Sequence, residues 1–112
     1  MKFKNEEEAF KVFVPFEQGR IEIQDHVSDI THQGQIRHVL IRKSDGGLRL
    51  QVAIRTSHTI ARNGTLRPSR DTHLAVDLKL CELILRKPTQ LCLRNMCTEE
   101  LIFFIAPNGK KN

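Results

Sequence analysis

One stretch of the sequence has residue types and spacing suited to binding an anion: RTSHTIARNGTLRPSR, residues 55–70. It contains four arginines, one histidine and no acidic residue. The planar guanidinium group of arginine matches phosphate and carboxylate groups through paired hydrogen bonds. The Asn63-Gly64 pair favours a tight turn, which would project Arg62 and Arg67 from one end of a sheet. We therefore predict a basic binding surface that consists of Arg42, Arg49, Arg55, Arg62, Arg67 and Arg70.

The charge of the chain is distributed unevenly. The net charge is +5 overall, −3 over residues 1–30 and +8 over residues 31–95. Such an uneven charge distribution gives information about which partners a protein binds rather than about its fold. Three interpretations follow: the arginines contact an acidic protein surface, they contact the phosphates of RNA or DNA, or they lie on a solvated face that binds nothing. The acidic run Glu6-Glu7-Glu8 also permits self-association, including a homodimer.

The placement of the aromatic residues helps to choose between a protein partner and a nucleic-acid partner. Small β-barrels that bind single strands usually stack the bases on aromatic rings, but residues 17–102 contain no Phe, Tyr or Trp. Binding to RNA or DNA would therefore be electrostatic and weakly sequence-selective. A protein-binding adaptor or assembly subunit requires only charged faces and free edge strands. We take this function as the first hypothesis and nonspecific nucleic-acid binding as the alternative.

The residues that most often carry catalysis or bind metals form no recognisable pattern. Cys81, Cys92 and Cys97 are odd in number and contain no CxxC pair, and the five histidines are scattered. A structural zinc site would need four ligands at short paired spacings. We therefore expect reduced, buried cysteines, no metal, no cofactor and no enzymatic activity. The Gly46-Gly47 pair is typical of a hairpin rather than of a phosphate-binding loop, because no GxxxxGK run accompanies it.

A short element resembles part of a known family. Asp29-Ile30-Thr31-His32-Gln33-Gly34 is similar to the Asp-x-Ser-x-x-Gly element of PilZ domains, with threonine in the serine position. The resemblance implies a small β-barrel that binds cyclic di-GMP. It covers six residues, and the Arg-x-x-x-Arg pair that precedes this element in the family is missing, because Arg20 is the only arginine before Asp29. The implied protein is a PilZ-like barrel that has lost nucleotide binding.

Hydrophobic periodicity predicts an all-β domain. Leu48, Leu50, Val52 and Ile54 alternate with polar or small residues, as on a strand with one buried face. The Asp45-Gly46 pair before them predicts a hairpin with residues 39–41. Further short strands are predicted by similar alternation over residues 10–16, 21–23 and 74–80 and by an apolar run over residues 101–105. The Gln33-Gly34 pair predicts a break between strands. We expect a small antiparallel β-barrel or β-sandwich, with residues 74–86 as strand or as one short helix.

All six phenylalanines lie near the two ends of the sequence, at positions 3, 10, 13, 16, 103 and 104. Large rings stabilise a protein most when they share a core. We therefore expect the first and last strands to lie close together and to close the sheet.

The length and composition predict one domain over residues 1–112. A chain of this length is the usual size of a single domain. We expect residues 1–8, an acidic leader, and residues 107–112, a polar tail, to be flexible. The sequence contains no apolar run of about 20 residues, which a membrane span would need, and its first residues do not resemble a signal peptide. We therefore expect a cytoplasmic protein.

Overall fold

The computed structural model describes residues 2–60 and 70–107. Helix α1 (Glu6–Phe13) continues into a 3-10 turn, Val14–Phe16. Seven strands follow, with a second 3-10 turn, Leu78–Leu80, between the fourth and the fifth. The strands are β1 (Arg20–Asp25), β2 (Ile30–Ser44), β3 (Gly47–Ile60), β4 (Arg70–Asp77), β5 (Cys81–Lys87), β6 (Gln90–Asn95) and β7 (Leu101–Ile105).

The strands form one antiparallel sheet in the order β4-β3-β2-β1-β7-β6-β5. The two edge strands, β4 and β5, are consecutive in the chain, and only Leu78–Leu80 separates them. A flat sheet of seven strands would be about 29 Å wide, whereas the link between Asp77 and Cys81 spans at most about 14 Å. The sheet must therefore roll up so that its edges approach at this end. The predicted all-β class is confirmed, although the sheet is not closed into a barrel.

The inner face of the rolled sheet contains the hydrophobic core. Alternate residues of the central strands point inward, and Ile36, Leu50, Val52, Ile102 and Phe104 have almost no exposed surface. Their antiparallel partners are also apolar and buried, as in the Ile41–Leu50 and Val39–Val52 pairs. The alternation that the sequence shows over residues 48–54 is therefore confirmed as a strand with one buried face.

The prediction of a strand over residues 10–16 is wrong, because this segment belongs to helix α1 and the 3-10 turn. The Asn5 side chain accepts a hydrogen bond of 2.9 Å from the Glu8 amide, which caps the helix. The buried residues are Ala9, Phe13 and Phe16, whose spacing of four and three matches a helix rather than a strand. The period of two among the apolar residues therefore hid a helix. The flexibility of residues 1–8 stays a prediction.

The hairpin at Asp45-Gly46 is confirmed. Ser44 and Gly47 are the last pair of β2 and β3, and Gly46 has a φ of 72°, which the turn requires and which glycine adopts without strain. The predicted break at Gln33-Gly34 is wrong, because β2 continues through it. The register instead shifts there, as in a β-bulge. A bulge bends a long strand and so contributes to the curvature of the sheet.

Residues 74–86 form strand, turn and strand rather than a helix. Leu74 and Val76 lie in β4, and Leu83 and Leu85 lie in β5. In β4, Val76 and Leu74 pair with Leu50 and Val52 of β3, so the apolar side of β4 extends the core. The choice between strand and helix that the sequence left open is thus decided by pairing with a neighbouring strand.

Phe13, Phe16 and Phe104 meet in the core, as predicted for the rings at the two ends of the sequence, whereas Phe10 is exposed. The ring centroids of Phe13 and Phe104 are 5.5 Å apart, and those of Phe16 and Phe104 are 6.0 Å apart. The first and last strands, β1 and β7, are also neighbours. They pair in the middle of the sheet and do not close it, because β4 and β5 are the edges.

Candidate functional site

The outer face of the sheet brings together residues that are far apart in the sequence. One row of cross-strand partners runs from β7 to β4 and consists of Ile105, Arg20, Gln35, Arg55 and Asp71. These residues alternate with the buried residues of the inner face, so their side chains belong to the outer face. Arg20 and Arg55 are exposed and lie on either side of Gln35. Two strand spacings separate their backbones, which is about 10 Å.

This row crosses an open groove of about 580 Å³ on the outer face, which we call the arginine groove. Its lining includes Gln18, Arg20, Glu22, Gln33, Gln35 and Arg55. Gly19 and Gly34 contribute backbone to the lining. Ile21 and Ile105 also line the groove, so its lining combines amide, guanidinium and carboxylate groups with apolar surface.

Hydrogen bonds fix the polar side chains of the groove. The Glu22 carboxylate accepts a hydrogen bond of 2.6 Å from Gln33 Nε2 and one of 2.9 Å from Gln24 Nε2. At the neighbouring position, Gln35 Nε2 donates to Gln18 Oε1 over 3.4 Å, and Gln18 Nε2 donates to the Arg37 carbonyl over 3.2 Å. These hydrogen bonds restrict the glutamine and glutamate side chains of the groove, and side chains that are ordered in advance lower the entropy cost of binding in general.

The two arginines of the groove remain available to an anion. Arg55 Nη1 lies 3.7 Å from Asp71 Oδ1, and both side chains are more than half exposed, so this contact is weak. Arg20 forms no ion pair with any residue in the described part of the chain. Glu22 lies two residues along β1 from Arg20 and gives the groove a negative group at one side. The groove therefore contains two cations and one carboxylate, and a second carboxylate, Asp71, lies beside Arg55.

The other predicted arginines lie elsewhere. Arg42 and Arg49 are exposed and directly opposite each other near the β2–β3 turn, about 20 Å along β3 from Arg55. The next residue across the sheet is Asp77, which contacts Lys79 at 3.8 Å. Two like charges at opposite positions repel each other. Because it lies about 20 Å from Arg55, this arginine pair is a second patch on the outer face, separate from the arginine groove.

The remaining predicted site residues are not placed. Arg62 and Arg67, and the predicted turn at Asn63-Gly64, lie outside the described residues. Arg70 begins β4 and pairs with Thr56, but its side chain is not among those described. The structure therefore brings Arg55 together with Arg20 and groups Arg42 with Arg49.

The sequence prediction missed Arg20 and the glutamines. Arg20 falls in the acidic first third of the chain, so the charge count directed attention away from it. The signal that was present is local: Arg20 and Glu22 alternate with the apolar Ile21 and Ile23, which places both on the polar side of a strand. Only the pairing of β1 with β2 and of β2 with β3 shows that this polar side continues into Gln35 and Arg55.

The three cysteines differ in their exposure. Cys81 and Cys92 are buried and reduced, as predicted, whereas the prediction for Cys97 is wrong because this residue is exposed in the β6–β7 loop. Burial raises the pKa of the Cys81 and Cys92 thiols, which disfavours the reactive thiolate. Among residues 2–60 and 70–107, no three His, Cys, Asp or Glu side chains lie close enough to hold a metal ion.

The segment that resembles the PilZ element spans the β1–β2 turn and the start of β2. Asp29 has a φ of 57° in the turn, and Gly34 lies at the register shift of β2. A PilZ-like domain that has lost cyclic di-GMP binding stays a prediction.

Comparison with known proteins gives no relative for this chain. No protein-family model matches it, and neither the curated proteins nor the solved structures contain a match. No helix in the described part of the chain is long and apolar enough to cross a membrane.

Proposed function

We propose that this protein is a non-enzymatic binding module and that its arginine groove holds an acidic segment of a partner protein. The observation that supports this proposal is the cross-strand row in which Arg20 and Arg55 flank Gln35. A carboxylate between the two guanidinium groups would accept charge-assisted hydrogen bonds from both. The Gln35 amide between them would contact the backbone or an amide of the same segment.

The charges of the groove favour a protein segment over a nucleic acid. Glu22 lies in the same groove as Arg20, and Asp71 lies beside Arg55. A regular run of phosphates that crossed this surface would meet both carboxylates. A peptide can place one acidic residue between the arginines and neutral or basic residues beside the carboxylates. The described part of the outer face of β1–β4 also contains no Phe, Tyr or Trp ring on which a base could stack.

The experiment is a selection of short peptides from a displayed library on the immobilised protein, followed by affinity measurements on the selected peptides. We expect the selected sequences to share an acidic residue, and we expect its replacement by the corresponding amide to weaken binding. In the double variant Arg20→Ala/Arg55→Ala, loss of two charge-assisted contacts should weaken binding by at least about tenfold.

The matched control is Arg42→Ala/Arg49→Ala, which removes the same charge from the second patch. At physiological salt, charges about 20 Å away are screened, so this control should keep the affinity within about twofold. Equal affinity of the Arg20→Ala/Arg55→Ala variant and the natural protein, with circular dichroism showing both folded, would contradict the proposal. Binding to generic RNA or DNA with a steep salt dependence, and to no acidic peptide, would establish the alternative partner class.

A further inference from the structure

A second groove lies between the end of helix α1 and the β5–β6 turn. It has a volume of about 400 Å³ and is open to solvent. Its apolar lining includes Val12, Phe16 and Leu91. Its charged lining consists of Lys11, Arg86 and Lys87, and none of the described residues that line it is acidic. We call it the basic groove.

The cations of the basic groove have little internal neutralisation. Lys11 Nζ lies 3.3 Å from Glu7 Oε1, but both side chains are about three-quarters exposed, so this ion pair is weak. Arg86 and Lys87 are exposed and make no ion pair with another described residue. Three cations around an apolar floor match a segment that carries several acidic groups together with apolar atoms.

The same helix carries such a segment at its other end. Glu6, Glu7 and Glu8 form its first turn and are the only three consecutive acidic residues in the sequence. Glu7, Glu8 and Lys11 are exposed, and they lie on the side of the helix opposite the buried Ala9 and Phe13. The outward side of α1 is therefore acidic at the start and leads into the basic groove at the end.

We propose that two copies of this chain associate through α1, with the glutamates of each copy at the basic groove of the other. Contact between the start of one helix and the end of the other requires the two helices to run antiparallel. A twofold axis then generates the same contact twice, as in most small homo-oligomers. This arrangement also places the partial charges of the two helix dipoles opposite each other with complementary sign.

A second copy fits the basic groove better than a membrane surface does. The apolar residues line a concavity, whereas a bilayer surface requires apolar groups that protrude. Glu7 and Glu8, next to the groove on the same helix, would also be repelled by anionic headgroups. Because one short helix and one open groove form the contact, we expect a weak dimer that depends on protein concentration and on salt.

The test is a charge exchange between two variants, measured by sedimentation velocity in low salt over a series of protein concentrations. The first variant is Glu7→Lys/Glu8→Lys, and the second is Arg86→Glu/Lys87→Glu. In each variant alone, like charges face each other at both contacts, so the dissociation constant should rise by at least about tenfold. In a 1:1 mixture, the basic helix start of one meets the acidic groove of the other, so a dimer should form again.

Controls separate this proposal from a failure to fold and from the arginine groove. The milder changes Glu7→Gln/Glu8→Gln avoid lysines at a helix start and should also weaken the dimer. The variant Arg20→Ala/Arg55→Ala should keep the dimer, because these arginines lie on the outer face. A natural protein that stays monomeric at millimolar concentration in low salt would overturn the proposal. So would variants that dimerise on their own, or a mixture that stays monomeric although both variants are folded.

Discussion

Replacement of Gly19 by alanine should destabilise the protein more than replacement of Gly46 or Gly47 by alanine. A Cβ atom at Gly19 would lie 2.1 Å from the Ile105 carbonyl oxygen and 2.9 Å from the Phe16 carbonyl oxygen. Carbon and oxygen atoms that are not bonded normally stay about 3.3 Å or more apart. Because both neighbours are backbone atoms, the start of β1 would have to move away from β7 by about 1 Å.

The hydrogen bonds around Gly19 determine the size of the effect. The Gly19 amide donates to the Phe16 carbonyl over 2.9 Å, and the Ile36 amide donates to the Gly19 carbonyl over 2.9 Å. A displacement of about 1 Å would lengthen these bonds beyond the range of a hydrogen bond. Loss of both hydrogen bonds should lower the free energy of unfolding by about 2–4 kcal/mol. The lower chain entropy of alanine in the unfolded state should offset about 0.4–1 kcal/mol of this loss. We expect a net loss of about 1–3.5 kcal/mol in the free energy of unfolding.

The assay is urea denaturation followed by circular dichroism, with thermal denaturation as a second measurement. A loss of this size should lower the melting temperature by about 10 °C in a domain of this length. Gly47→Ala is the control, because its new Cβ would meet the flexible Lys79 side chain at 3.3 Å, and its cost should stay within about 0.5 kcal/mol. Equal stability of the two variants would refute the close approach of β1 and β7 at this position, and with it the shape of the arginine groove.

Three further predictions concern the core, the thiols and the pH dependence. Phe104→Ala should lower the free energy of unfolding by about 3–5 kcal/mol in urea denaturation, because the ring is fully buried against Phe13 and Phe16; a loss below about 1 kcal/mol would contradict this packing. In a thiol titration of the folded protein, Cys97 should react quickly and Cys81 and Cys92 only after unfolding; three fast thiols would contradict their burial. Hydrogen bonds from Ser28 lower the pKa of Asp25, so its contribution to stability should be present at neutral pH and should be lost as the pH falls below about 4. Asp25→Asn should reduce the difference in melting temperature between neutral and acidic pH, and an unchanged difference would show that Asp25 does not contribute.

The two grooves give the molecule two separate surfaces. The arginine groove is open to the outer side of β1, β2 and β3, whereas the basic groove lies beside α1 and the β5–β6 turn. Their linings share no residue. A dimer formed through α1 would therefore leave both copies of the arginine groove free. Two linked grooves would bind a partner that carries two acidic segments more tightly than either groove alone, because the second contact becomes intramolecular.

The sequence predicted the fold class where local chemistry and tertiary packing agree. Leu50, Val52 and Ile54 alternate with polar or small residues, and the neighbouring strands bury the same side that the alternation indicates. The Asp45-Gly46 turn is similarly local, because the positive φ that it requires depends on residue type. The alternation over residues 10–16 was misleading, because phenylalanine and valine satisfy both a period of two and a helical spacing. The cap at Asn5 was the more specific signal.

The candidate site could be predicted only in part. Arg42, Arg49 and Arg55 are exposed on the outer face, and the binding surface predicted for them stays a prediction. Their grouping could not be read from the sequence, since Arg55 lies closer in the chain to Arg49 than to Arg20. In the sheet, Arg55 instead lies closer to Arg20 than to Arg49, because β2 pairs with both β1 and β3 and so places Arg20 and Arg55 on one row.

The sequence by itself determined the strand periodicity, the β2–β3 turn and the excess of positive charge, because each depends on residue type or on neighbours within a few positions. The tertiary structure decided the order of the strands, the approach of the two sheet edges and the membership of each groove. These features depend on contacts between residues that are distant in the chain. A period of two shows which side of a strand is buried but contains no information about which strand lies beside it.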